Sequence, residues 1–269
     1  MYQEFYGLSE APFELTPNPR FLFYSHKHQE AFNHLLYGIR ERRGFVQLTG
    51  EIGAGKTTLC RALLEQLGEN FSTAVILNPA LDADQLLKAV CIEFGLNPTG
   101  ADRLELIAII NDFLLRQMAE SRECVLIIDE AQTLTNDLLE QVRLLSNLET
   151  DERKLLQIVL MGQPELRERL NDPGLAQLRQ RITVRYHLNP LRREELVQYV
   201  THRLEVSGAK APPTFTRLAL WRIHRYSRGI PRLINAVCDK ALLAGFVAHT
   251  GRINYKLTGR AIRELEGTI

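Results

Sequence analysis

Cysteine, methionine and tryptophan are all scarce in this chain. Its 269 residues include four cysteines, three methionines and a single tryptophan. The cysteines are scattered, without a C-x-x-C pair or the spacing of metal ligands, and each lies among apolar residues. This pattern excludes a disulfide framework and a cysteine metal site, and it predicts buried free thiols in a reducing compartment. The four are Cys60, Cys91, Cys124 and Cys238.

Long hydrophobic runs are missing as well. The longest candidate, AVCDKALLAGFVA, is interrupted by Asp239 and Lys240, and it falls short of the roughly 20 apolar residues that span a membrane. The opening residues MYQEFYGLSE show no basic segment followed by an apolar run, so we expect no secretory signal. Together these absences predict a cytoplasmic location.

Acidic residues are scarce towards the C-terminal end. The whole chain is nearly balanced, with 33 Lys and Arg against 32 Asp and Glu, and its 45% hydrophobic content is typical of a globular protein. Residues 1–190 carry 19 basic against 26 acidic residues, whereas residues 191–269 carry 14 against 6. This asymmetry predicts two modules. The basic one either meets an acidic surface, nucleic acid or nucleotide phosphates, or presents a solvated helical face.

What the chain does contain is a glycine-rich segment between a strand pattern and a helix pattern. GEIGAGKTT follows the apolar run GFVQLT and precedes LCRALLEQL. In this context Gly-x-x-x-x-Gly-Lys-Thr predicts a phosphate loop, because the glycines let backbone N–H groups converge beside a helix N-terminus. The alternative is a glycine-rich turn with a chance Lys-Thr, and the flanking segments favour the site. The predicted nucleotide-binding residues are Gly50, Glu51, Ile52, Gly53, Ala54, Gly55, Lys56, Thr57 and Thr58.

Two adjacent acids end a second apolar strand pattern. CVLIIDE is a short continuous apolar run, of the kind buried on both faces of a parallel sheet, and it ends in Asp129 and Glu130. We expect Lys56 to contact the β- and γ-phosphates, Thr57 and Asp129 to hold Mg²⁺, and Glu130 to polarise the attacking water. As structural residues the two acids would be costly to desolvate unless paired or metal-bound, which favours the functional interpretation.

Four further polar residues suit a phosphate site, each with a structural alternative. Gln163 follows the apolar strand LLQIVLMG, and it either orients the water or contacts the terminal phosphate, or merely caps the helix begun by Pro164. Arg179 and Arg181 either reach a neighbouring subunit's site or form helix-end salt bridges. Arg232 lies in the first turn of a helix, where the helix dipole opposes a cation unless an anion is near, so a phosphate contact is favoured.

Strand and helix patterns alternate up to Pro190. They predict an α/β fold with a doubly wound parallel sheet of five strands and with ligand at the carboxyl ends of the strands. The aromatic and proline-rich residues 1–27 predict an ordered arm on the core, which either lines a base pocket or simply packs. From Leu191 onward only helices are expected. The predicted domains are therefore a nucleotide-binding core over 1–190 and a helical lid over 191–269.

These motifs together resemble the AAA+ ATPases. The resemblance assigns Walker A to Gly50–Thr57, Walker B to Val125–Glu130, a sensor-1 candidate to Gln163, arginine-finger candidates to Arg179 and Arg181, and sensor 2 to Arg232. More narrowly, the chain resembles the ExeA (GspA) family over essentially its whole length. The segments that carry this resemblance are FYGLSEAPFELTPNPRFLFYS, LLYGI, GFVQLTGEIGAGKTTL, IIDEAQ, VLMGQPEL and GIPRLINAVCDKALL.

The resemblance implies an enzyme that binds ATP and Mg²⁺, hydrolyses ATP and assembles into a ring or dimer. It implies support for assembly of a cell-envelope machine, such as a type II secretion secretin, an MshM-like pilus or a polysaccharide exporter. The expected partners are ATP or ADP, further copies of the chain or an inner-membrane partner, and envelope components. The expected location is the cytoplasm, at the inner-membrane face.

Two points stay open within the resemblance. ExeA-type proteins usually continue into a transmembrane helix and a peptidoglycan-binding region, whereas this sequence ends at Ile269, so a short member and a separated domain are both expected possibilities. The alternative function is that of a DNA-binding transposition regulator of the TnsC/TniB type. The basic lid would suit phosphate backbones, although no recognition-helix pattern accompanies it.

Overall fold

The strands and helices lie close to where the sequence patterns place them. The computed structural model describes residues 1–77, 79, 81–151, 153–208 and 212–267. The strands are β1 (Phe45–Gly50), β2 (Phe71–Ile76), β3 (Glu123–Ile128), β4 (Leu156–Gly162), β5 (Ile182–Leu188), β6 (Thr214–Phe215) and β7 (Arg252–Ile253). The helices are α1 (Tyr2–Tyr6), α2 (His26–Arg40), α3 (Lys56–Leu67), α4 (Ala83–Glu93), α5 (Arg103–Ala119), α6 (Asn136–Leu145), α7 (Pro164–Arg169), α8 (Ala176–Arg181), α9 (Arg193–Val206), α10 (Arg217–Ser227), α11 (Pro231–Val247) and α12 (Tyr255–Leu265).

The first five strands form one parallel sheet in the order β2-β3-β4-β1-β5. β1 and β4 are buried along their whole length, which explains why their sequences are continuous apolar runs. The predicted five-stranded parallel sheet is therefore confirmed. β2 begins two residues before the predicted start at Thr73, and its predicted last residue, Asn78, lies outside the described residues.

This sheet belongs to a compact unit made of Gln29–Gly50 and Cys60–Leu188. Local hydrogen bonds define where its helices start. The carboxylate of Asp82 accepts the N–H of Gln85 at 2.8 Å and completes a capping box at α4, as its position before the apolar pattern predicts. A cap of this kind stabilises a helix by about 1 kcal/mol.

The four cysteines are buried and free, as expected from their apolar surroundings. Burial is the main cause that raises the pKa of the Cys60 and Cys124 thiols to about 12. At neutral pH these thiols stay protonated and act as small apolar side chains. Among the described residues, no helix is long and apolar enough to cross a membrane.

The second compact unit comprises Met1–His28, Glu51–Leu59 and Asn189–Ile269, of which 209–211, 268 and 269 are not described. The sequence predicts an arm that lies on the core, whereas the arm packs on the lid helices: Tyr6, Leu8 and Phe13 share one apolar cluster with residues of α9, α11 and α12. Buried Arg203 of α9 donates hydrogen bonds to the carbonyls of Pro12 and Glu14. The predicted division into domains at residue 190 stays a prediction.

One expectation for the lid is wrong. No strand was expected after Leu191, yet β6 and β7 pair in parallel, Thr214 with Arg252 and Phe215 with Ile253. Two residues are too few to produce the alternation by which a strand is recognised in a sequence. The pairing ties the starts of α10 and α12 together through backbone hydrogen bonds.

Candidate functional site

The phosphate loop turns sharply at two glycines. Gly53 has φ 77° and Gly55 has φ 103°, values that place both in the left-handed region where glycine is favoured. Between them, the N–H of Ala54 donates to the carbonyl of Glu51 at 3.1 Å. The loop then enters α3 without interruption, since the N–H of Leu59 donates to the carbonyl of Gly55. This is the tight strand-to-helix turn that the sequence predicts.

Gly50 has a different task from the one expected of it. The sequence interpretation has Gly50 bending the loop, but it is not among the glycines with positive φ. A Cβ at this position would lie 2.9 Å from the carbonyl oxygen of Leu188. Gly50 therefore lets the end of β1 approach the end of β5.

The loop holds Lys56 and Thr57 at the first positions of α3. Lys56 is buried, with 5% of its surface exposed, and its Nζ donates to the carbonyl of Glu51 at 3.1 Å. Thr57 and Thr58 are half-buried. Ile52 is 59% exposed, so its side chain is not part of the buried core.

The first turn of α11 contacts the phosphate loop through Arg232. Its N–H donates to the carbonyl of Gly53 at 3.2 Å, and a Cβ added at Gly53 would lie 2.5 Å from the Cβ of Arg232. The N-cap residue Ile230 provides no side-chain acceptor, so the loop carbonyl satisfies one of the N–H groups that a helix start leaves unpaired. The structure thus brings Arg232 to the loop, with its side chain exposed.

The arm and the lid enclose a small cavity beside this loop. Its volume is about 50 Å³, and its walls include Phe21 and Phe23 of the arm, Thr58 of α3, and Tyr199 and Pro231 of the lid. The aromatic residues of the arm therefore pack on the lid and line a cavity next to the loop, and a base pocket at this cavity stays a prediction.

His28 contacts the phosphate loop, although no sequence pattern indicates this role. It is 3% exposed; its Nδ1 lies 2.8 Å from the hydroxyl of Ser25 and its Nε2 lies 3.1 Å from the carbonyl oxygen of Ala54. Because a carbonyl oxygen only accepts, Nε2 carries the proton and Nδ1 accepts from Ser25. A Cβ on Gly55 would come within 3.3 Å of this Nε2. His28 therefore braces the phosphate loop from the start of α2.

We expect the substitution His28→Gln to flatten the dependence of stability on pH. Burial lowers the pKa of His28 from its ordinary value of 6.5, against smaller opposing effects of the Ala54 carbonyl and Glu195. Below that value the unfolded chain binds more protons than the folded chain, so this contribution to the free energy of unfolding is lost as the pH falls. Urea unfolding from about pH 7 to about pH 5 measures it. The exposed His26 provides the control His26→Gln, and equal slopes in wild type and His28→Gln would contradict the assignment.

Asp129 is buried directly after β3. It is 3% exposed, its N–H donates to the carbonyl of Ile76 at 2.9 Å, and its carboxylate accepts the N–H of Glu130 at 2.9 Å. Its negative charge adds to the effect of burial in raising the pKa of the Cys60 thiol. The acid is therefore held in place by backbone contacts while its charge acts towards α3.

Glu130 is placed by two glutamine amides. Gln163 Nε2 donates to its Oε2 at 3.1 Å, and Gln132 Nε2 donates to the same oxygen. Gln163 lies at the N-cap of α7 but makes no side-chain cap there, so the capping alternative does not apply. Glu130 itself has φ 52°, a left-handed conformation that costs a non-glycine residue about 1 kcal/mol or more. Such strain is typical of a functional position.

Gln132 is the second residue that sequence analysis missed. Its Oε1 accepts the N–H of Gln163 at 3.0 Å, and its own carbonyl accepts Arg169 Nη1 at 2.6 Å. Gly162 leaves room for it, since a Cβ there would lie 2.7 Å from that Oε1. Gln132 thus links the ends of β3 and β4, because it bonds both the Glu130 carboxylate and the backbone N–H of Gln163.

The two arginine-finger candidates differ in their surroundings. Arg181 Nη1 donates to the hydroxyl of Ser146 at 2.7 Å, so a hydrogen bond within the same unit already holds it. Arg179 Nη1 donates to the carbonyl of Asn171 over a long distance of 3.4 Å, and Arg179 lines an open cavity. The helix-end salt bridge considered for both is absent among the described residues.

This chain is similar in sequence to known proteins. The AAA domain family matches residues 39–170, a range that contains the phosphate loop, Asp129, Glu130 and Gln163. General secretion pathway protein A of Aeromonas hydrophila is 50% identical over 268 residues. The match covers 99% of this chain and 49% of that protein, so the chain spans about half the length of its relative.

Solved structures share the fold. The Aeropyrum pernix ORC2 protein, solved with ADPNP and ADP, has a TM-score of 0.70 at 16% identity, covering 95% of this chain and 72% of that one. The Thermotoga maritima RuvB branch migration motor has a TM-score of 0.57 at 20% identity, covering 88% and 69%. At these identities the likeness shows the AAA+ P-loop fold alone. With the sequence match added, the chain is similar over 99% of its own length to about half of general secretion pathway protein A, and its residues 39–170 match the AAA domain family.

Proposed function

We propose that this chain binds ATP at the phosphate loop and hydrolyses it with Mg²⁺. The observation that carries the proposal is the hydrogen bond from the Arg232 N–H to the Gly53 carbonyl. It sets the N-terminus of a 17-residue helix, with its partial positive charge, against a glycine loop that carries Lys56. A nucleoside triphosphate is the ligand that fits this combination of backbone N–H groups, a lysine and an arginine.

The donor set suits the proposed cofactors. Thr57 supplies a hydroxyl and Asp129 a carboxylate, the oxygen ligands that Mg²⁺ takes together with substrate phosphates. When bound, Mg²⁺ would neutralise charge on the phosphates. Lys56 and Arg232 then contact the phosphates themselves, and Gly50–Thr58 contribute backbone donors. The small cavity between arm and lid is the proposed entrance for the base, and its aromatic walls must move apart to admit a purine.

Glu130 is the proposed general base. Its carboxylate can accept a proton from the attacking water, and hydrogen bonds from Gln163 and Gln132 fix its position. We propose that Gln163 is a positioning residue that acts through Glu130. This role replaces the direct contact with water or phosphate that the sequence predicts for it. Arg179 is the better candidate for a residue given to a neighbouring subunit, because Arg181 is held by Ser146.

Phosphate release from Mg-ATP by the purified chain tests the proposal, with EDTA as the metal-free control. We expect turnover in Mg²⁺ and none in EDTA, and a rate per chain that rises with protein concentration if subunits complete each other's sites. The absence of turnover at every concentration would refute hydrolysis by this chain, and the absence of ATP binding would refute the site.

We further propose that ATP turnover supports assembly of a cell-envelope secretion, pilus or polysaccharide-export machine, from the cytoplasmic face of the inner membrane. The 50% identity to general secretion pathway protein A supports this proposal. The expected partners are further copies of the chain or an inner-membrane protein. Cells whose only copy carries Lys56→Ala should lose export of the envelope component, while wild type retains it.

The alternative role in DNA transposition finds less support. Solved relatives that hold DNA, such as the Aeropyrum pernix ORC1 protein, are only 16% identical and share the fold alone. The relative at 50% identity is a secretion protein. Duplex DNA titrated at several salt concentrations separates the two roles, since tight and steeply salt-dependent binding would favour the regulator.

We expect Arg232→Ala to weaken ATP binding about 10- to 100-fold. A charge-assisted hydrogen bond contributes about 1.5–3 kcal/mol, and the alanine variant removes one from the phosphates. The fold should persist, because Arg232 is exposed and its N–H can still bond Gly53. Equilibrium binding of ATP and of ADP measures the effect, and a larger loss for ATP would place the contact at the terminal phosphate. The exposed Arg217 on α10 gives the control Arg217→Ala, and unchanged ATP affinity in Arg232→Ala would contradict the role.

A further inference from the structure

A basic cavity of about 350 Å³ lies at the β1–β5 edge of the sheet unit. Arg167 of α7, Arg179 of α8 and Arg185 of β5 all line it, and so do His187 and Thr49 from neighbouring strands. Among the described residues that line it, none is acidic. Of the three arginines, only Arg179 was selected from the sequence.

The charges of these three arginines are not compensated by carboxylates. None of them forms an ion pair with a described acidic residue. Arg179 donates to the carbonyl of Asn171 at 3.4 Å, and Arg185 Nη2 donates to the carbonyl of Arg179. Arg167 is exposed and makes no side-chain hydrogen bond with a described residue. Because like charges repel, their convergence on one cavity costs free energy that a bound anion would offset.

The arginine side chains that line the cavity favour a phosphate as its ligand. Planar guanidinium groups match the oxygen geometry of phosphate and can donate two hydrogen bonds at once. Beside them the Thr49 hydroxyl lies 3.0 Å from His187 Nδ1, which adds two further polar groups to the wall. We propose that this cavity binds a phosphate-class anion through Arg167, Arg179 and Arg185, as a second anion site besides the phosphate loop.

Two sources supply that chemistry. One is free inorganic phosphate, the product of ATP hydrolysis. The other is the terminal phosphate of the nucleotide held by a second copy of this chain. This second possibility rests on the proposed function. In the second case the cavity gives three arginines, and not a single finger, to the neighbouring site.

The first experiment titrates inorganic phosphate, and then tripolyphosphate, into Lys56→Ala protein by calorimetry, so that the phosphate loop contributes little. We compare the added double substitution Arg167→Gln/Arg185→Gln with Lys88→Gln/Arg116→Gln, a control that removes two positive charges from exposed positions of the same unit. We expect the dissociation constant to rise about 10-fold or more in the first and to stay unchanged in the second. Arg167→Gln alone, which breaks no described hydrogen bond, keeps the test valid if the double variant unfolds.

The second experiment mixes two otherwise intact proteins. Arg167→Gln/Arg185→Gln has its own phosphate loop and Glu130 but an impaired cavity, whereas Glu130→Gln has an intact cavity but no base. If the cavity takes the neighbour's nucleotide, the mixture hydrolyses ATP faster than the two separate proteins together. Phosphate binding without this gain assigns the site to free phosphate.

Unchanged phosphate affinity in the arginine variants, combined with no gain on mixing, would overturn the proposal. The calorimetric experiment needs no ATP hydrolysis, so its outcome stands even if the chain proves inactive. Failure of the proposed ATPase function and failure of this anion site are therefore told apart.

Discussion

Replacing Glu130 by glutamine should stop ATP turnover while leaving ATP binding intact. The change removes the proposed base but keeps the shape of the side chain, and its amide oxygen can still accept from Gln163 and Gln132. General bases contribute about 10²–10⁴-fold to rate, so kcat should fall by about that factor. Steady-state phosphate release gives kcat, and equilibrium binding of ATP in Mg²⁺ gives the dissociation constant, which should change less than about threefold.

Glu168→Gln serves as the matched control for this experiment. Glu168 is exposed on α7 in the same unit, and its substitution removes the same charge. Its kcat should equal that of wild type. Turnover by Glu130→Gln at the wild-type rate would show that the base lies elsewhere, whereas loss of ATP binding would show that Glu130 shapes the site and does not merely act on water.

The kcat of Gln163→Ala should lie between the kcat values of Glu130→Gln and Glu168→Gln. Removing the amide leaves the Glu130 carboxylate with Gln132 as its described side-chain donor, so its orientation is less restricted. We expect a fall in kcat with little change in ATP affinity, because Gln163 acts through Glu130 and not on the substrate. Recovery of activity in Gln163→Asn would indicate that an amide donor is what this position needs.

Local patterns were enough to predict the parts of the molecule whose structure depends on neighbouring residues in the chain. The inner strands β1 and β4 are continuous apolar runs because both faces are buried, and the start of α4 depends on Asp82 and Gln85, three positions apart. The phosphate loop is likewise determined within a few residues, since Gly53 and Gly55 supply the backbone angles that it requires. Each of these features is visible in a short window of sequence.

The residues that were missed act across long separations in the chain. His28 bonds the Ala54 carbonyl 26 positions away, and Gln132 bonds the Gln163 N–H 31 positions away. His28 lies in the first turn of a helix and Gln132 shortly after an acid pair, and nothing in their spacing shows which backbone group they will reach. Only the packing of α2 and the order of β3 and β4 in the sheet bring these groups together.

The same limit explains why Arg179 and Arg181 could not be told apart. They are two positions apart in one short helix and have the same chemistry. What separates them is Ser146, which follows α6 and holds Arg181, while Arg179 lines the basic cavity with Arg167 and Arg185. Tertiary contacts, and not the pattern in LRQRI, thus decide which arginine side chain is available to a neighbouring subunit.

Arginine in place of Lys56 separates the charge of this residue from its shape. The guanidinium is planar and larger than an ammonium group, so Lys56→Arg keeps the charge but cannot occupy the same buried position in the loop. We expect ATP affinity in Lys56→Arg to lie well below wild type and near that of the alanine variant. Wild-type affinity in this variant would indicate that charge alone is needed.

Lys56→Ala should have the largest effect on ATP binding of all the substitutions considered. Its Nζ, held at 3.1 Å from the Glu51 carbonyl, is the buried cation of the phosphate loop. Two charge-assisted hydrogen bonds to phosphates, at about 1.5–3 kcal/mol each, correspond to a loss of about 10²-fold or more in affinity. Calorimetry with ATP measures this loss, with Lys88→Ala on the exposed face of α4 as control. Tight ATP binding by a folded Lys56→Ala protein would mean that the triphosphate is held elsewhere.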